Sequence, residues 1–467
     1  MELDAELLSR LQFAFTIMFH YIFPPFSIGL GLLLVIYETL YYRTRNPLYE
    51  RITRFWIKIF AANFSVGVAS GIVMEFEFGT NWSDYARFVG DIFGSPLAAE
   101  GIFAFFLESG FLAILLFGWN RVKPGMHLFS TCMVALGSIL SALWIVVANS
   151  WQQTPVAYEL VGQGDQMRAV ITDFWAVVFN PSSVVRFLHV VVGAFVQGAF
   201  LVLSVSAYYL VKQKHLDFAR HSFAIALVVA LLGSLAQPVL GHTHANVVAE
   251  YQPAKLAAFE GLYETQSNAP LYIIGWTDEE TRETYGIKVP GMLSFLIHGN
   301  TKGEVVGLDQ FPKEEWPPVN GVFQSYHIMV ALGMFFIGLT GFAFILMLRN
   351  KLFEQRWLLK LFVPAVVLPV LANQLGWVSA ERGRQPWLVY DLLKTSDGLS
   401  PSVSAGEVLT SFILFIIVYV LLFFVWLYVL DKEIKHGPEQ PESAQGALYQ
   451  EQKAHAGFLE KVAGSVE

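Results

Sequence analysis

Five residues whose side chains can bind metal ions or protons lie inside strongly apolar stretches of the sequence: His20, Glu100, Glu108, His189 and Met329. Ionisable side chains are costly within a membrane span, and where they occur they tend to mark functional sites. Imidazole and thioether groups are ligands of heme iron, and intramembrane carboxyl groups relay protons. These residue types favour a membrane protein that performs redox or proton chemistry.

His189 and Met329 lie at similar depths near the outer ends of two apolar runs, and each is followed four residues later by a glycine, Gly193 or Gly333. Residues four apart share one face of a helix, and a glycine there lets a flat macrocycle approach the backbone. A His and a Met from two helices would make a six-coordinate heme iron of raised potential. The alternative is that Met329 fills the core, as most buried methionines do.

His20 lies midway along the first apolar run and is followed by Pro24 and Pro25. The two prolines remove the backbone donors that would bond the carbonyl groups of residues 20 and 21, so we expect the helix to bend at the imidazole. Such a bend suits a ligand site. An interhelical hydrogen bond beside a proline kink is an equally good interpretation.

Glu100 and Glu108 are eight residues apart in the third run, which places them about 12 Å apart along a helix and on one side of it. Glu100 is expected to start the helix at the outer boundary, where it could complement the helix dipole. Glu108 lies two turns deeper, with Ser109 beside it. We interpret Glu108 as a stepping stone for protons or as an acid beside a metal.

A second acidic and basic group follows the eighth run, where Glu381, Arg382 and Arg384 are close in sequence. Arginine clamps carboxylates, including propionates, through two parallel hydrogen bonds. A plain surface ion pair is the alternative for this segment.

The elements that must position these residues are membrane helices. The chain has 467 residues, of which 55% are hydrophobic and 15% are charged, whereas soluble domains carry about 25% charged residues. The single cysteine, Cys132, excludes a disulfide framework within the chain, a four-cysteine zinc site and an iron–sulfur cluster held by this chain alone. A net charge of −8 without a basic block argues against binding to nucleic acid.

Nine apolar runs are long enough to cross a bilayer, which requires about 20 residues each. We therefore expect an all-α membrane protein with nine transmembrane helices. The runs are approximately 11–40, 54–75, 97–120, 126–149, 184–211, 219–241, 321–348, 358–379 and 406–430. No repeat of fixed period supports an inverted-repeat transporter.

Lysine and arginine are concentrated in alternate connections, which the positive-inside rule assigns to the cytoplasm. The N-terminus is then outside and the C-terminus cytoplasmic. No basic segment precedes the first run, so we expect it to remain as a span. The cytoplasmic cations are Arg43, Arg45, Arg51, Arg54, Lys58, Arg121, Lys123, Lys212, Lys214, Arg220, Arg349, Lys351, Arg356, Lys360, Lys432 and Lys435.

This topology divides the chain into spans 1–6 (residues 1–241), an outer loop (242–320), spans 7–9 (321–430) and a cytoplasmic tail (431–467). Shorter outer connections are expected at 76–96 and 150–183. A long loop without an obvious apolar core is usually functional or disordered.

The same topology brings His20, Glu100, His189, Met329 and Glu381 to the outer half of the membrane, although they come from five segments. We interpret this convergence as one shared cofactor site.

Several of these segments resemble subunit I of the cytochrome bd quinol oxidases, and the likeness covers nearly the whole chain. The order and spacing of the matching segments are more specific than any one of them. The segments are Gly-Arg-Gln-Pro-Trp at 383–387, Met-Glu-Phe-Glu-Phe-Gly-Thr-Asn-Trp at 74–82, Gly-Asp-Ile-Phe-Gly-Ser-Pro-Leu at 90–97, Ala-Phe-Phe-Leu-Glu at 104–108 and Lys-Leu-Ala-Ala-Phe-Glu at 255–260.

The resemblance implies a low-spin heme b, a high-spin heme b and a heme d. It implies that His189 and Met329 are the axial pair of the low-spin heme, whereas His20, Glu100 and Glu381 match residues that serve the two high-spin hemes. Which of these three faces heme d stays open. Arg384 would hold heme propionates or tune the low-spin heme. Spans 1–6 then carry the high-spin heme and proton-path residues.

The resemblance further implies a terminal oxidase of the aerobic respiratory chain in the bacterial cytoplasmic (inner) membrane. Quinol would be oxidised at the outer face, and O2 would be reduced to water with cytoplasmic protons, which separates charge without pumping. Lys255 and Glu260 match the quinol-oxidation residues. Lys58, Glu108, Ser109 and Ser141 match the proton path. The expected partners are a second membrane subunit, subunit II, and in some relatives a small single-helix subunit.

Two features depart from the commoner family pattern. His327 stands where many relatives carry arginine, which leaves the low-spin heme potential and propionate contacts open. The outer loop lacks the insert of long-loop members, as in the branch that includes cyanide-insensitive oxidases. In some members of that branch heme b replaces heme d, so the identity of the third heme stays open.

Two other functions compete with this interpretation: a diheme b-type electron carrier and a proton-coupled transporter. The transporter leaves His189 and Met329 unexplained.

Overall fold

The computed structural model describes residues 4–439. Within this range, nine helical segments are long and apolar enough to cross a membrane, which confirms the number expected from the sequence. We number them spans 1–9: Ala5–Thr44, Pro47–Thr80, Ser83–Phe117, Pro124–Gln153, Ser183–Lys212, Leu216–Tyr251, Lys313–Leu348, Arg356–Arg382 and Ala405–His436. Residues 440–467, which make up most of the expected tail, lie outside the described residues.

Span 1 is broken where the sequence predicts a bend. Its first helix ends at His20 and its second begins at Phe23, with Pro24 in the first turn of the second helix. The prolines fit there because the first turn of a helix leaves its backbone N–H groups unbonded in any case. His20 is therefore held at a helix end inside the membrane.

Span 3 differs from the expectation. Residues 76–96 are not an irregular connection, because span 2 continues to Thr80 and a helix begins again at Ser83. The helix Ser83–Ala99 is amphipathic, and it buries Phe88 and Ile92 in a small apolar cluster. Glu100 does not start a helix, so the proposed interaction with a helix N-terminus does not apply.

Three further spans contain or adjoin irregular turns. Glu100 opens a π-helical turn that joins the two α-helices of span 3, and span 8 is interrupted near its middle. The segments are Ser83–Ala99, Glu100–Phe105 (π) and Phe106–Phe117 in span 3; Lys313–Glu315 (3-10) and Val319–Leu348 in span 7; and Arg356–Phe362, Pro364–Val366 (3-10) and Val367–Arg382 in span 8. π-Helical turns are rare and are frequently found at functional sites.

The connections contain short helices and four antiparallel strand pairs: β1 with β2, β3 with β6, β4 with β5 and β7 with β8. The strands are β1 Tyr158–Val161, β2 Arg168–Ile171, β3 Gln266–Ser267, β4 Leu271–Asp278, β5 Glu283–Val289, β6 Glu304–Val305, β7 Trp387–Val389 and β8 Leu393–Lys394. The short α-helices are Phe174–Val178, Pro253–Glu260 and Met292–His298, and the remaining 3-10 turns are Gly164–Gln166, Leu308–Gln310, Leu352–Glu354 and Thr395–Gly398.

The long outer loop is folded, and it has an apolar core that the sequence analysis did not anticipate. Leu262, Tyr263, Leu293 and Leu308 are buried together within it. Span 6 continues as a helix to Tyr251, so the irregular part of the loop is shorter than expected. The helix Pro253–Glu260, which we call the loop helix, packs against spans 6 and 7.

The membrane core is built around span 5, which is the most buried of the nine described spans. Span 1 contacts span 5 backbone to backbone: a Cβ atom on Gly29 would lie 2.4 Å from the Ala194 carbonyl oxygen, and one on Gly198 would lie 2.5 Å from Gly29. Small residues allow such close approach between membrane helices. Spans 3 and 9 are the least buried.

Candidate functional site

Glu381, near the C-terminal end of span 8, is the centre of a largely buried polar cluster, and its own side chain is 33% exposed. Its Oε2 accepts a hydrogen bond from Arg384 at 2.5 Å, and its Oε1 accepts bonds from Asn149 at 3.1 Å and Gln153 at 3.2 Å. The cluster joins spans 4 and 8. The ion pair between Glu381 and Arg384 is therefore part of a buried network and not a plain surface pair.

Lys255 joins this cluster from the loop helix. It is 2% exposed, and its Nζ donates to the side-chain oxygen of Gln153 and, at 2.6 Å, to that of Gln252. Burial, reinforced by the nearby positive charge of Arg186, holds the pKa of Lys255 well below its usual range. Gln153 thus connects Lys255 to Glu381 through one amide group.

Arg186 is a member of this cluster that the sequence analysis missed. It lies one turn before His189 on span 5, is buried, donates to the Asn149 side-chain oxygen and lies 5.7 Å from the centre of the Trp377 ring. The available signal was a cation at the outer start of an apolar run, on the same helical face as His189.

The charges of the cluster do not balance. Arg186 and Arg384 are both buried and cannot lose their protons; Arg384 bonds the carboxylate of Glu381, whereas Arg186 donates to the neutral side-chain amide of Asn149. The Nε of Arg384 is buried and has no hydrogen-bond partner among the described residues. Since buried charges require partners, the cluster fits one further anionic group, such as a heme propionate.

His20 is held in a form suited to binding iron. Its Nδ1 lies 3.0 Å from Ser70 Oγ, which itself donates to the carbonyl oxygens of Val66 at 2.8 Å and Gly67 at 3.0 Å. When the serine proton is used on the backbone, its oxygen is free to accept a proton from Nδ1, and the tautomer with Nδ1–H would leave the Nε2 lone pair available for a metal. Metal-binding histidines are oriented in this way. A Cβ on Gly71 would lie 3.1 Å from His20 Cε1, so Gly71 makes room for the ring.

His189 and Met329 lie in the bundle formed by spans 5–8. The His189 Nδ1 is buried without a hydrogen-bond partner among the described residues, and the ring of His244 lies 6.0 Å away. The Met329 sulfur packs against span 8, 3.0 Å from where a Cβ on Gly376 would lie. Imidazole nitrogen and thioether sulfur are the kinds of donor that bind heme iron, and here the Met329 side chain is half-buried.

The two glycines that follow these residues differ. A Cβ on Gly333 would meet nothing within 4 Å, which agrees with the expected room for a macrocycle. Gly193 instead faces the side-chain amides of Asn373 at 3.0 Å and Gln237 at 3.1 Å. The expectation that Gly193 provides an open approach is wrong, because polar side chains of spans 6 and 8 fill that space.

Glu108 and Glu100 face span 4 and are bonded to serine hydroxyl groups. Ser138 Oγ donates to Glu108 Oε1 at 2.5 Å, and Ser141 Oγ donates to Glu100 Oε1 at 2.6 Å. Gly137 leaves room for the Glu108 side chain, since a Cβ on Gly137 would lie 2.4 Å from the Glu108 Cγ. Ser138 was missed from sequence, although its spacing of three residues from Ser141 was a usable signal.

The other predicted proton-path residues lie elsewhere. Ser109 is exposed on span 3, whereas the neighbouring Glu108 is buried. Lys58 is exposed on span 2, and its Nζ lies 2.7 Å from Glu439 Oε1. The exposure of Ser109 and the contact of Lys58 with Glu439 do not place either residue beside the buried carboxyl groups.

A further buried acid was missed near the opposite end of span 4. Glu38 of span 1 accepts a hydrogen bond from His127 Nδ1 at 2.6 Å and from Thr131 Oγ1 at 2.5 Å. His127, Thr131 and Ser138 follow one another at intervals of four and seven residues, which places them on one face of span 4. The signal was a glutamate inside the first apolar run and a histidine at the start of the fourth.

Glu260 ends the loop helix and is 2% exposed. Burial raises its pKa to about 8, although a hydrogen bond with Tyr326 of span 7 opposes the rise. The preceding Phe259 stacks on Tyr326 with ring centres 4.7 Å apart. Glu260 is therefore mostly protonated at neutral pH, and it is anchored to the helix that carries Met329.

Within residues 4–439 no three His, Cys, Asp or Glu side chains converge as a metal site made by protein alone. The dispersed histidine and methionine donors instead suit iron that is held in a macrocycle. Together with the arginine cluster and the serine-bonded carboxyl groups, they fit the class of multi-span membrane proteins that hold heme.

Comparisons with known proteins agree with this class. The family described as cytochrome bd terminal oxidase subunit I matches residues 8–438. Cytochrome bd ubiquinol oxidase subunit 1 of Bacillus subtilis is 40% identical over 92% of this chain and 94% of its own, and cytochrome bd-II ubiquinol oxidase subunit 1 of Escherichia coli is 35% identical over 94% and 99%. The structure of bd oxidase from Geobacillus thermodenitrificans superposes with a TM-score of 0.87 at 30% identity, over 93% of this chain and 99% of the other.

The chain belongs to the cytochrome bd terminal oxidase subunit I family. This confirms the resemblance inferred from the sequence, the all-α fold with nine spanning helices among the described residues, and the location in a bacterial membrane as a multi-pass protein.

Proposed function

We propose that this chain is the heme-bearing subunit of a terminal quinol:oxygen oxidoreductase, as its relatives in B. subtilis and E. coli are named. Quinol is oxidised at the outer face, and O2 is reduced to water with protons from the cytoplasm. The observation that carries the proposal is the continuous path Lys255–Gln153–Glu381–Arg384, because it joins the candidate quinol residue to a candidate heme ligand.

In this proposal His189 and Met329 hold a low-spin heme b, while His20, Glu100 and Glu381 serve a high-spin heme b and a heme d, or a heme b in its place. When bound, the hemes supply one-electron transfer and the reaction with oxygen. The chain supplies the ligands, and Arg384 and Arg186 supply positive charge for propionates. The buried, unpaired Nε of Arg384 and Nδ1 of His189 support this assignment.

Lys255 and Glu260 act on the quinol. The low pKa of Lys255 lets its amine hydrogen-bond a quinol oxygen without a fixed counter-ion, since Gln153 separates it from Glu381. Glu260, with a pKa of about 8, accepts a quinol proton in its ionised form and releases it to the outer side. The loop helix carries both groups, so one short element sets their spacing.

Glu108 and Glu100 deliver protons towards the oxygen site from the cytoplasmic side. Ser138 and Ser141 are three residues apart on span 4, and each holds one of the carboxyl groups. A hydroxyl group is both donor and acceptor, so each serine can pass a proton to or from its carboxyl group. This direction requires the C-terminus to be cytoplasmic, as the positive-inside rule predicts. A second membrane subunit, subunit II, is the proposed partner, with O2, quinol and lipid as the other contacts.

Difference spectra of membranes that contain this chain with its partner test the function. A reduced-minus-oxidised far-red band that shifts with carbon monoxide would establish a heme d oxygen site, and b-type bands that respond to carbon monoxide would establish a heme-b-only oxidase. Bands that ignore carbon monoxide would leave the diheme electron carrier, and the absence of a Soret band would leave the transporter. His189→Ala should remove the low-spin signal, whereas the matched change His242→Ala, at an exposed histidine of span 6, should not.

A further inference from the structure

The hairpin β4–β5 of the outer loop has one protein-facing side and one exposed apolar side. Gly275 and Thr277 face the protein, and Thr277 is buried. Opposite them, Ile274 pairs with Ile287 and Trp276 pairs with Tyr285 across the strands. We call the exposed side the hairpin face; its residues are between 39% and 68% exposed, and they are Ile273, Ile274, Trp276, Tyr285, Ile287 and Val289.

The hairpin lies alongside the outer end of span 7 and not above it. Thr277 Oγ1 lies 3.4 Å from Asn320 Oδ1, Gln324 Nε2 donates to the Gly275 carbonyl oxygen at 2.8 Å, and His327 Nε2 lies 2.9 Å from the Tyr272 carbonyl oxygen. Strand β4 therefore follows span 7 from residue 320 to residue 327, which is about 10 Å along the helix axis.

This stretch of span 7 is the start of its apolar run, so the hairpin base lies at the depth where lipid headgroups give way to acyl chains. Beyond the base, Ile328 and Val330 of span 7 are also exposed, so the hairpin face continues an apolar surface that lipid must cover. The hairpin tip is charged: it carries Asp278, Glu279, Glu280, Arg282 and Glu283.

The composition of the hairpin face matches this depth. Tryptophan and tyrosine are enriched at membrane–water interfaces because their rings are apolar and their edges are polar. Isoleucine side chains in the same row gain only from an apolar surrounding. A charged tip above an aromatic and aliphatic base is the distribution that an element crossing the headgroup region requires.

We propose that the hairpin face rests in the outer leaflet of the bilayer and is covered by lipid. The hairpin is then a membrane anchor for the loop helix: Thr284 Oγ1 donates to the Gly261 carbonyl oxygen at 2.6 Å, and a Cβ on Gly261 would lie 2.7 Å from Thr284 and 2.8 Å from Thr277. Gly261 directly follows Glu260. This consequence rests on the proposed function: lipid contact at the hairpin fixes the depth of Glu260 relative to the bilayer surface, from which a lipid-dissolved quinol arrives.

Spin labels in the complete oxidase complex test the lipid contact without reference to activity. In a Cys132→Ser background, the label is attached at Ile287→Cys, at the tip residue Glu280→Cys and at Ile345→Cys, an exposed position of span 7. The complex is placed in phosphatidylcholine and phosphatidylglycerol nanodiscs, and collision with oxygen is compared with collision with a water-soluble nickel chelate.

We expect the oxygen-to-nickel ratio at Ile287→Cys to be close to that of Ile345→Cys and several-fold above that of Glu280→Cys. A ratio equal to that of Glu280→Cys would mean that water covers the face, and low collision with both reagents would mean that a protein partner covers it. Either result overturns the proposal.

The consequence for the quinol site has its own measurement. In nanodiscs, the double change Ile274→Ser and Ile287→Ser should raise the KM for a long-tailed quinol several-fold and leave the heme spectrum and kcat unchanged. The matched change Glu283→Ser, at the tip end of β5, should alter neither. An unchanged KM together with a lipid-type spin-label ratio would overturn the link to quinol and leave the anchor. Loss of all quinol oxidation in the unsubstituted complex would count against the proposed function instead.

Discussion

Replacing Glu260 with Gln removes the one carboxyl group of the loop helix that can accept a quinol proton. With a pKa of about 8, about one in ten of these groups is ionised at pH 7, half at pH 8 and about nine in ten at pH 9. If the ionised form is the proton acceptor, kcat/KM of the unsubstituted complex rises about tenfold between pH 7 and pH 9 and then levels off. Burial raises the pKa of Glu260, which places the midpoint of the profile near pH 8. Because the ionised form is the acceptor, activity increases as pH rises through this midpoint and is lost as pH falls.

The variant Glu260→Gln should lower kcat/KM by about 10²-fold or more, in the range of a lost general base, and should flatten the pH profile. Tyr326→Phe should keep the pH dependence of kcat/KM but shift its midpoint. Its hydrogen bond favours the ionised carboxylate, so its loss raises the pKa of Glu260 further and moves the midpoint to higher pH.

The assay is oxygen consumption with a long-tailed quinol between pH 6 and 9.5, in the complete complex. Glu264→Gln, at an exposed acid of the same loop, is the matched control and should leave the profile unchanged. A Glu260→Gln complex that keeps the wild-type profile, or a wild-type midpoint near the ordinary carboxyl value, would refute the role of Glu260 as proton acceptor.

Three further substitutions test other parts of the site. Ser138→Ala removes the 2.5 Å hydrogen bond to Glu108 and should lower kcat without changing the quinol KM, whereas Ser109→Ala, on the exposed side of span 3, should have no effect in the same oxygen-consumption assay. Gln153→Leu leaves the buried amino group of Lys255 and the partly buried carboxylate of Glu381 without their shared amide, and should destabilise the complex by about 1–3 kcal/mol in thermal unfolding and raise the quinol KM. Met329→His should keep a six-coordinate heme and lower its midpoint potential in a redox titration, and an unchanged potential would remove Met329 from the heme.

The apolar runs alone were sufficient to predict the nine spans, because the energy of lipid contact depends on composition over about 20 residues. The bend after His20 was predictable because proline acts locally. The helix Ser83–Ala99 was not predictable from hydropathy, since an amphipathic helix mixes polar and apolar residues and contains no continuous apolar run. Its burial depends on a cluster formed with distant residues such as Trp151 and Val389.

The chemical groups of the site were predictable by type, but their partners were not. Each residue that we selected is energetically costly in lipid and can therefore be recognised from a single sequence. The amides Asn149 and Gln153 have no such signal in the sequence, yet they bond Glu381 because spans 4 and 8 meet at that depth. The pairing of Ser138 with Glu108 likewise depends on the packing of spans 3 and 4, and so does the exposure of Ser109.

Burial of the loop helix shifts the pKa values of Lys255 and Glu260, the two proposed quinol residues, in opposite directions. It lowers the pKa of Lys255 and raises that of Glu260, because a dry environment disfavours the charged form of either group. A direct ion pair between Lys255 and Glu381 would cancel the effect on the lysine, and the amide of Gln153 prevents this by standing between them. One short helix thus carries a lysine whose pKa is lowered and a carboxyl group whose pKa is raised, and in the proposed function these two groups exchange protons with the quinol.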